Sequence, residues 1–209
     1  MAHSWGWPAL FLLGAYHGIN PGMGWLFAVA VGMQQNSAQA VVYSLVPIAL
    51  GHALAIGVAV LIGALLQIVL PLLYLKIAVG AALVALGVYR VVRSHHFRWG
   101  GMQMGFRELA IWSFLMASAH GAGLMVLPLV LTLPPMPAAH HAHMGRFGDP
   151  LTAILATLVH TIGYLTLTGA VALVVYQSLG LALLRKAWLN FDLVWAVALI
   201  ATGCFAWII

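Results

Sequence analysis

Six long apolar stretches run along this chain, near 7–31, 40–66, 71–92, 109–133, 151–176 and 188–209. Each is close to the roughly 20 residues that carry a helix across a hydrocarbon layer about 30 Å thick. The pattern predicts an all-α integral membrane domain of about six transmembrane helices, one unit over residues 1–209. Only Pro71 separates the second stretch from the third, so those two are expected to form a helical hairpin. Polar interruptions inside the stretches are few. Four of them are histidines standing alone: His17, His52, His120 and His160. An ionisable group at bilayer depth is costly and marks a functional site by default.

Composition narrows the class without changing it. The chain is 64% hydrophobic and 5% charged, with a mean hydropathy of +1.07. A soluble domain cannot hide that much apolar surface. The net charge of +5 reflects a few Lys and Arg against three acids, with no basic run interleaved with aromatics, so no nucleic-acid partner is expected. Cys204 stands alone, which excludes a disulfide or a thiol relay within the chain. No basic segment precedes the first apolar run, so that run is expected to be retained as a helix. The basic residues around Arg93–Arg107 and at Arg185 and Lys186 fall on one side of a six-span arrangement. The positive-inside rule then puts these loops in the cytoplasm and both termini outside, in an inner (cytoplasmic) membrane. Tryptophans near span ends, such as Trp5, Trp7, Trp112, Trp188 and Trp207, fit an interfacial belt.

The two halves of the chain resemble each other. Tyr16-His17-Gly18, followed by Pro21, pairs with Ala119-His120-Gly121, followed by Pro128. Gly51-His52-Ala53 pairs with Val159-His160-Thr161, and Leu86-Gly87-Val88 with Thr202-Gly203-Cys204. Three spans per half would insert the halves with opposite topology, a 3+3 inverted repeat of about 7–92 and 109–209. Secondary transporters of that plan place their site at the midplane between repeats. The bland alternative is that His-Gly recurs by chance in a glycine-rich chain.

Depth decides what the histidines are able to do. His17 lies about ten residues into its span, about 15 Å at 1.5 Å per residue, and the other three fall at similar depth. Four imidazoles at one level are expected to converge on one transition-metal ion, for which zinc, nickel, cobalt, copper and iron all qualify. Glu108, Asp149 and Asp192 sit near span ends, which argues against calcium or magnesium. Each histidine must be neutral to ligate, so binding is expected to weaken as pH falls through roughly 6–7. The plain alternative for any one of them is a hydrogen bond between packed helices, worth around 1 kcal/mol.

Two further segments bear on an ion. In Tyr16-His17-Gly18-Ile19-Asn20-Pro21-Gly22-Met23-Gly24, Asn20 lies one turn after His17, and Pro21 with its flanking glycines predicts a broken helix. Asn20, Met23 and freed carbonyls are additional candidate ligands; the alternative is an ordinary proline kink. Between the fourth and fifth stretches, His140, His141, His143 and Met144 form a short His/Met tract suited to metal capture at the outer mouth, or else a solvated loop.

On the paired His-Gly and proline positions, the three-plus-three pattern and the His-rich loop, the chain resembles the LysE-type superfamily of small membrane proteins. That group includes NicO-type nickel/cobalt exporters, HupE/UreJ proteins and CcdA-like proteins. The resemblance covers most of the chain and implies its fold. The Asp-His pair of the metal exporters and the paired cysteines of CcdA-like proteins do not occur here. The leading expectation is a transporter of a transition-metal cation through His17, His52, His120 and His160. Alternatives are an intramembrane metalloenzyme using the same histidines, or a haem-binding electron carrier. The lipid bilayer and the ion are the expected partners, with a homo-oligomer left open.

Overall fold

A computed structural model describes residues 5–92, 105–133, 150–179 and 191–208. The described residues form helices and turns with no strand. They are α1 (Gly6–Ile19), α2 (Trp25–Gln34), α3 (Ala38–Val69), α4 (Leu72–Val92), α5 (Phe106–Ala119), α6 (Ala122–Thr132), α7 (Pro150–Val174) and α8 (Phe191–Ile208). Three of these helices are long and apolar enough to cross a membrane, over Ala38–Gln67, Leu72–Tyr89 and Pro150–Ser178. A fourth span results if α5 and α6, bent by 64° at a short break, count as one. The basic loops at 93–104 and 180–190, the His95-His96 pair and the tract His140, His141, His143 and Met144 lie outside the described residues.

Helix boundaries follow local chemistry. Asn36 ends α2 in the left-handed region at φ 49°. The Ser37 N–H then reaches back to the Gly32 carbonyl (2.9 Å) and the Asn36 N–H to Met33 (3.4 Å), the paired bonds of a Schellman end. Ser37 next caps α3, its hydroxyl accepting from the Ala40 N–H. Leu70 is held extended before Pro71, as a residue preceding proline prefers, and α4 starts at once. The expected break at Pro71 is therefore present, but α3 and α4 barely touch beyond it and do not pack as a hairpin; α4 lies along α8 instead.

The first and fourth apolar stretches are not continuous helices. Between α1 and α2 the chain makes a single 3-10 turn, Pro21–Met23, and passes Gly24 at φ 144°. Between α5 and α6 it turns at His120 and Gly121, the latter at φ 73°. Such breaks at membrane depth require other groups to satisfy the freed backbone. At the first break the Trp25 indole N–H donates to the Ile19 carbonyl (2.9 Å). The Asn20 Oδ1 accepts the Gly22 N–H (2.9 Å), and the Tyr164 hydroxyl donates to the Met23 carbonyl.

Packing is by close helix pairs: α1 lies along α7, α3 along α5, and α4 along α8. Glycines permit the approach. A Cβ on Gly14 or Gly163 would collide with the backbone of the facing helix, at His160 and Phe11 respectively. Gly51 meets Ala110 in the same way across the α3–α5 pair. Small residues at such crossings are how helices associate in lipid. The outward face of α3 shows Val46, Leu50, Leu54, Leu61 and Leu65, all exposed, while its inward face buries Ile48, His52, Ile56 and Val60. Exposed apolar residues in that regular row suit a lipid-facing surface. Ser113 of α5 donates to the Ile48 carbonyl at 2.6 Å. Ser113→Ala is expected to cost about 0.6 kcal/mol, the average for such bonds in lipid, read as a small fall in the unfolding midpoint in detergent.

Candidate functional site

The buried polar groups gather where α1, α3 and α7 meet. His17, His52 and His160 are each fully inaccessible. Their ring centres stand 5.8 Å apart for His17–His52, 4.9 Å for His17–His160 and 5.6 Å for His52–His160. The last two rings are nearly parallel (5°), and their Nε2 atoms face each other at 3.4 Å. The gap between ring-centre separation and nitrogen separation is about two ring radii, so the nitrogens point almost straight at each other.

Hydrogen bonds set the ring tautomers. His17 Nδ1 lies 2.7 Å from the Leu13 carbonyl and His120 Nδ1 lies 2.8 Å from the Met116 carbonyl, each four residues back on its own helix. A carbonyl only accepts, so each Nδ1 carries the proton and each Nε2 keeps its lone pair. A second-nitrogen bond of this kind orients histidines that bind metals. His52 Nδ1, in contrast, is buried with no hydrogen-bond partner among the described residues. Leaving such a group unmade costs about 1–3 kcal/mol, and a histidine serving only to pack helices would gain nothing from it.

His120 occupies the corner between α5 and α6 and is 3% exposed. It is within electrostatic reach of His17. Its Cε1 lies 3.9 Å from where a Cβ on Gly22 would stand, beside the Asn20 Oδ1 and the Met116 methyl. The structure therefore brings His17, His52 and His160 into one cluster and puts His120 against the first helix break. Asn20 and Met23, the candidate additional ligands, hold that break: the Asn20 Oδ1 on Gly22 N–H, and the Met23 carbonyl under Tyr164.

Tyr164 is the residue that sequence reasoning missed. It is fully buried, one turn beyond His160, and stacks on the His52 ring with centres 3.9 Å apart and planes at 9°. A polar residue four positions after an intramembrane histidine was the available signal. Thr168, one turn further, sets its hydroxyl 3.5 Å from the Gly18 carbonyl and is also buried.

The His52–His160 pair has the nitrogen spacing of two ligands of one ion, but the cluster does not enclose an ion. Among the described residues no three His, Cys, Asp or Glu side chains stand around a single metal-sized point. Two nitrogens at 2.0–2.1 Å from one tetrahedral ion are about 3.3–3.4 Å apart, which is the His52–His160 separation. Adding a ring radius of roughly 1.2 Å to each bond puts ring centres about 5.2 Å apart, within the observed spread. The only carboxylate whose side chain is described, Glu108, is exposed in the first turn of α5. No protein-family model matches the chain, and no curated protein or solved structure is significantly similar to it.

Proposed function

We propose that this protein moves a transition-metal cation across a membrane, with His17, His52, His120 and His160 as the ion's ligands. The observation that carries the reading is the His52–His160 pair, with nitrogens face to face at 3.4 Å, deep in the protein. That is long for a hydrogen bond, whose N–H···O counterpart spans 2.7–3.2 Å, and it matches the spacing of two ligands of one tetrahedral ion, although the rings must tilt from head-on for their lone pairs to converge on it. His17 stands beside both with its Nε2 lone pair set by Leu13. His120 is prepared in the same way by Met116 and needs only a shift at the His120–Gly121 corner to join them.

The six-span, 3+3 inverted arrangement belongs to the same proposal. Several features support it. A broken helix opens each half, α1–α2 and α5–α6, followed by a long helix, α3 or α7, and a third, α4 or α8. Exchanging the halves turns the α1–α7 pairing into α5–α3 and leaves α4–α8 unchanged. The same exchange carries His17 with its i−4 carbonyl onto His120 with its own, and His52 onto His160. Alternating access would then be a rocking of halves about a midplane site. The resemblance to LysE-type proteins points the same way. A haem between His52 and His160 is disfavoured, because their facing nitrogens leave no slot for a macrocycle.

Zinc, nickel and cobalt titrated into the metal-stripped, purified protein test the reading, followed by counterflow of the bound ion in proteoliposomes. The expected result is about one ion per chain, visible for cobalt as a tetrahedral ligand-field band, and saturable transport. Absence of stoichiometric binding by any of these ions would overturn it. The orientation is tested separately. With Cys204→Ser as background, Arg98→Cys and Arg185→Cys should be labelled only after the cytoplasmic face is opened; labelling from outside would reverse the assignment.

A further inference from the structure

We propose that Tyr164 is a positioning residue that couples the histidine cluster to the break in the first span. The inference rests on the metal-site reading for what the coupling is used for, but not for the coupling itself. Three observations carry it. The Tyr164 ring lies flat on His52, centres 3.9 Å apart and planes at 9°. Its hydroxyl donates to the Met23 carbonyl at the end of the 3-10 turn. In a continuous helix that carbonyl would receive the Phe27 N–H, but Phe27 bonds Gly24 instead (3.0 Å), so Tyr164 supplies the donor that the break removed.

The surroundings leave the phenol little freedom. Tyr164 is fully buried, and Gly24 is a glycine at φ 144° whose Cβ would stand 2.9 Å from the hydroxyl and 2.5 Å from Ile48. A tilt of the His52 ring therefore tilts the phenol stacked on it and loads or releases the bond to Met23. The coupling is one-sided. The position four residues after His52, equivalent to Tyr164 in the other half, is Ile56, which is buried and has no polar group to reach a break. Ion binding that turns His52 thus acts on the α1–α2 break and not, by this route, on the α5–α6 corner. A ligand shifts a conformational equilibrium only through such differential contacts.

The test is hydrogen exchange of the backbone over residues 20–28 in the full chain in detergent. Tyr164→Phe keeps the stacked ring and removes the hydroxyl. Exchange over 20–28 is expected to rise about tenfold, the size of one buried hydrogen bond, with exchange in α4 and α8 unchanged. A wild-type rate in this segment overturns the proposal. The coupling is read without metal by a cycle with His52→Leu. That substitution should speed exchange of the break when Tyr164 is present and add little when Phe is at 164. Additive effects would make Tyr164 a structural prop and overturn the coupling. Zinc ions supply the last arm. They should change exchange at the break in the wild type and much less in Tyr164→Phe, with zinc stoichiometry equal in both. An equal zinc response in both overturns the coupling. Failure of the wild type to bind zinc defeats the metal-site reading, and the metal-free cycle still decides the role of Tyr164.

Discussion

Replacing His52 and His160 together by alanine is expected to abolish stoichiometric zinc binding, from about one ion per chain to less than about a tenth. The magnitude follows from sharing. A complete structural zinc shell is worth about 10–16 kcal/mol, so each of four ligands carries about 3 kcal/mol, on the order of a hundredfold in affinity. Two nitrogens lost multiply that factor. Both rings are fully buried and His52 also stacks on Tyr164, so the double variant loses packing and leaves a cavity as well as losing the 3.4 Å contact; zinc binding is therefore read on protein whose helical content and unfolding midpoint show it folded. His120→Ala separates a four-ligand shell from a three-ligand one. With His120 in the shell, affinity falls about a hundredfold; with His17, His52 and His160 sufficient, it stays within a few-fold of wild type. Isothermal titration and elemental analysis of the same preparations read both results. Full zinc occupancy in the double variant would leave the cluster as a packing device.

Much of the architecture was legible because long apolar runs have few alternatives. The helix from Ala38 to Val69, the break at Pro71 and α7 follow the sequence pattern within a few residues. That the histidines face inward was equally legible, and three of them meet. Two things were not. A run such as 109–133 gives no sign of a 64° bend, since Gly121 reads as one more small residue until its φ of 73° is known. The second difficulty was orientation. Membrane helices are apolar almost all round, so the inward face is marked only by polar and very small residues. His160, Tyr164 and Thr168 at four-residue spacing, and Gly14 with Gly18, carried that information for α7 and α1. Reading them as a stripe would have placed Tyr164 in the cluster. That Asn20 and Met23 stabilise a break depends on Trp25 and Tyr164 reaching them, which is long-range information no local pattern holds.

Gly14→Ala and Gly57→Ala should move stability in opposite directions although both exchange a helical glycine for alanine. Helix propensity alone favours alanine by about 0.8–1.0 kcal/mol. At Gly57 in α3 an added Cβ meets nothing within 4 Å, so propensity acts unopposed. For a chain of this size that corresponds to a rise of about 2–4 °C in the unfolding midpoint. At Gly14 the added Cβ would fall on the His160 carbonyl, with the Tyr164 N–H also in range. Both are backbone of α7, so no side-chain rotation relieves the clash and α1 must back away. Overpacking of this kind costs about 1–3 kcal/mol, enough to reverse the propensity gain. Net of the propensity gain this leaves up to about 2 kcal/mol, so the midpoint should fall by up to about 8 °C below wild type. The displacement also reaches the site, because His17 lies one turn beyond Gly14 and touches His160 at a ring-centre distance of 4.9 Å. Gly14→Ala should therefore lose zinc affinity by about tenfold or more while Gly57→Ala binds as wild type. Thermal melts in detergent with zinc titrations decide it. A Gly14→Ala protein at least as stable as the wild type would mean that α1 and α7 do not cross at the distance their glycines allow.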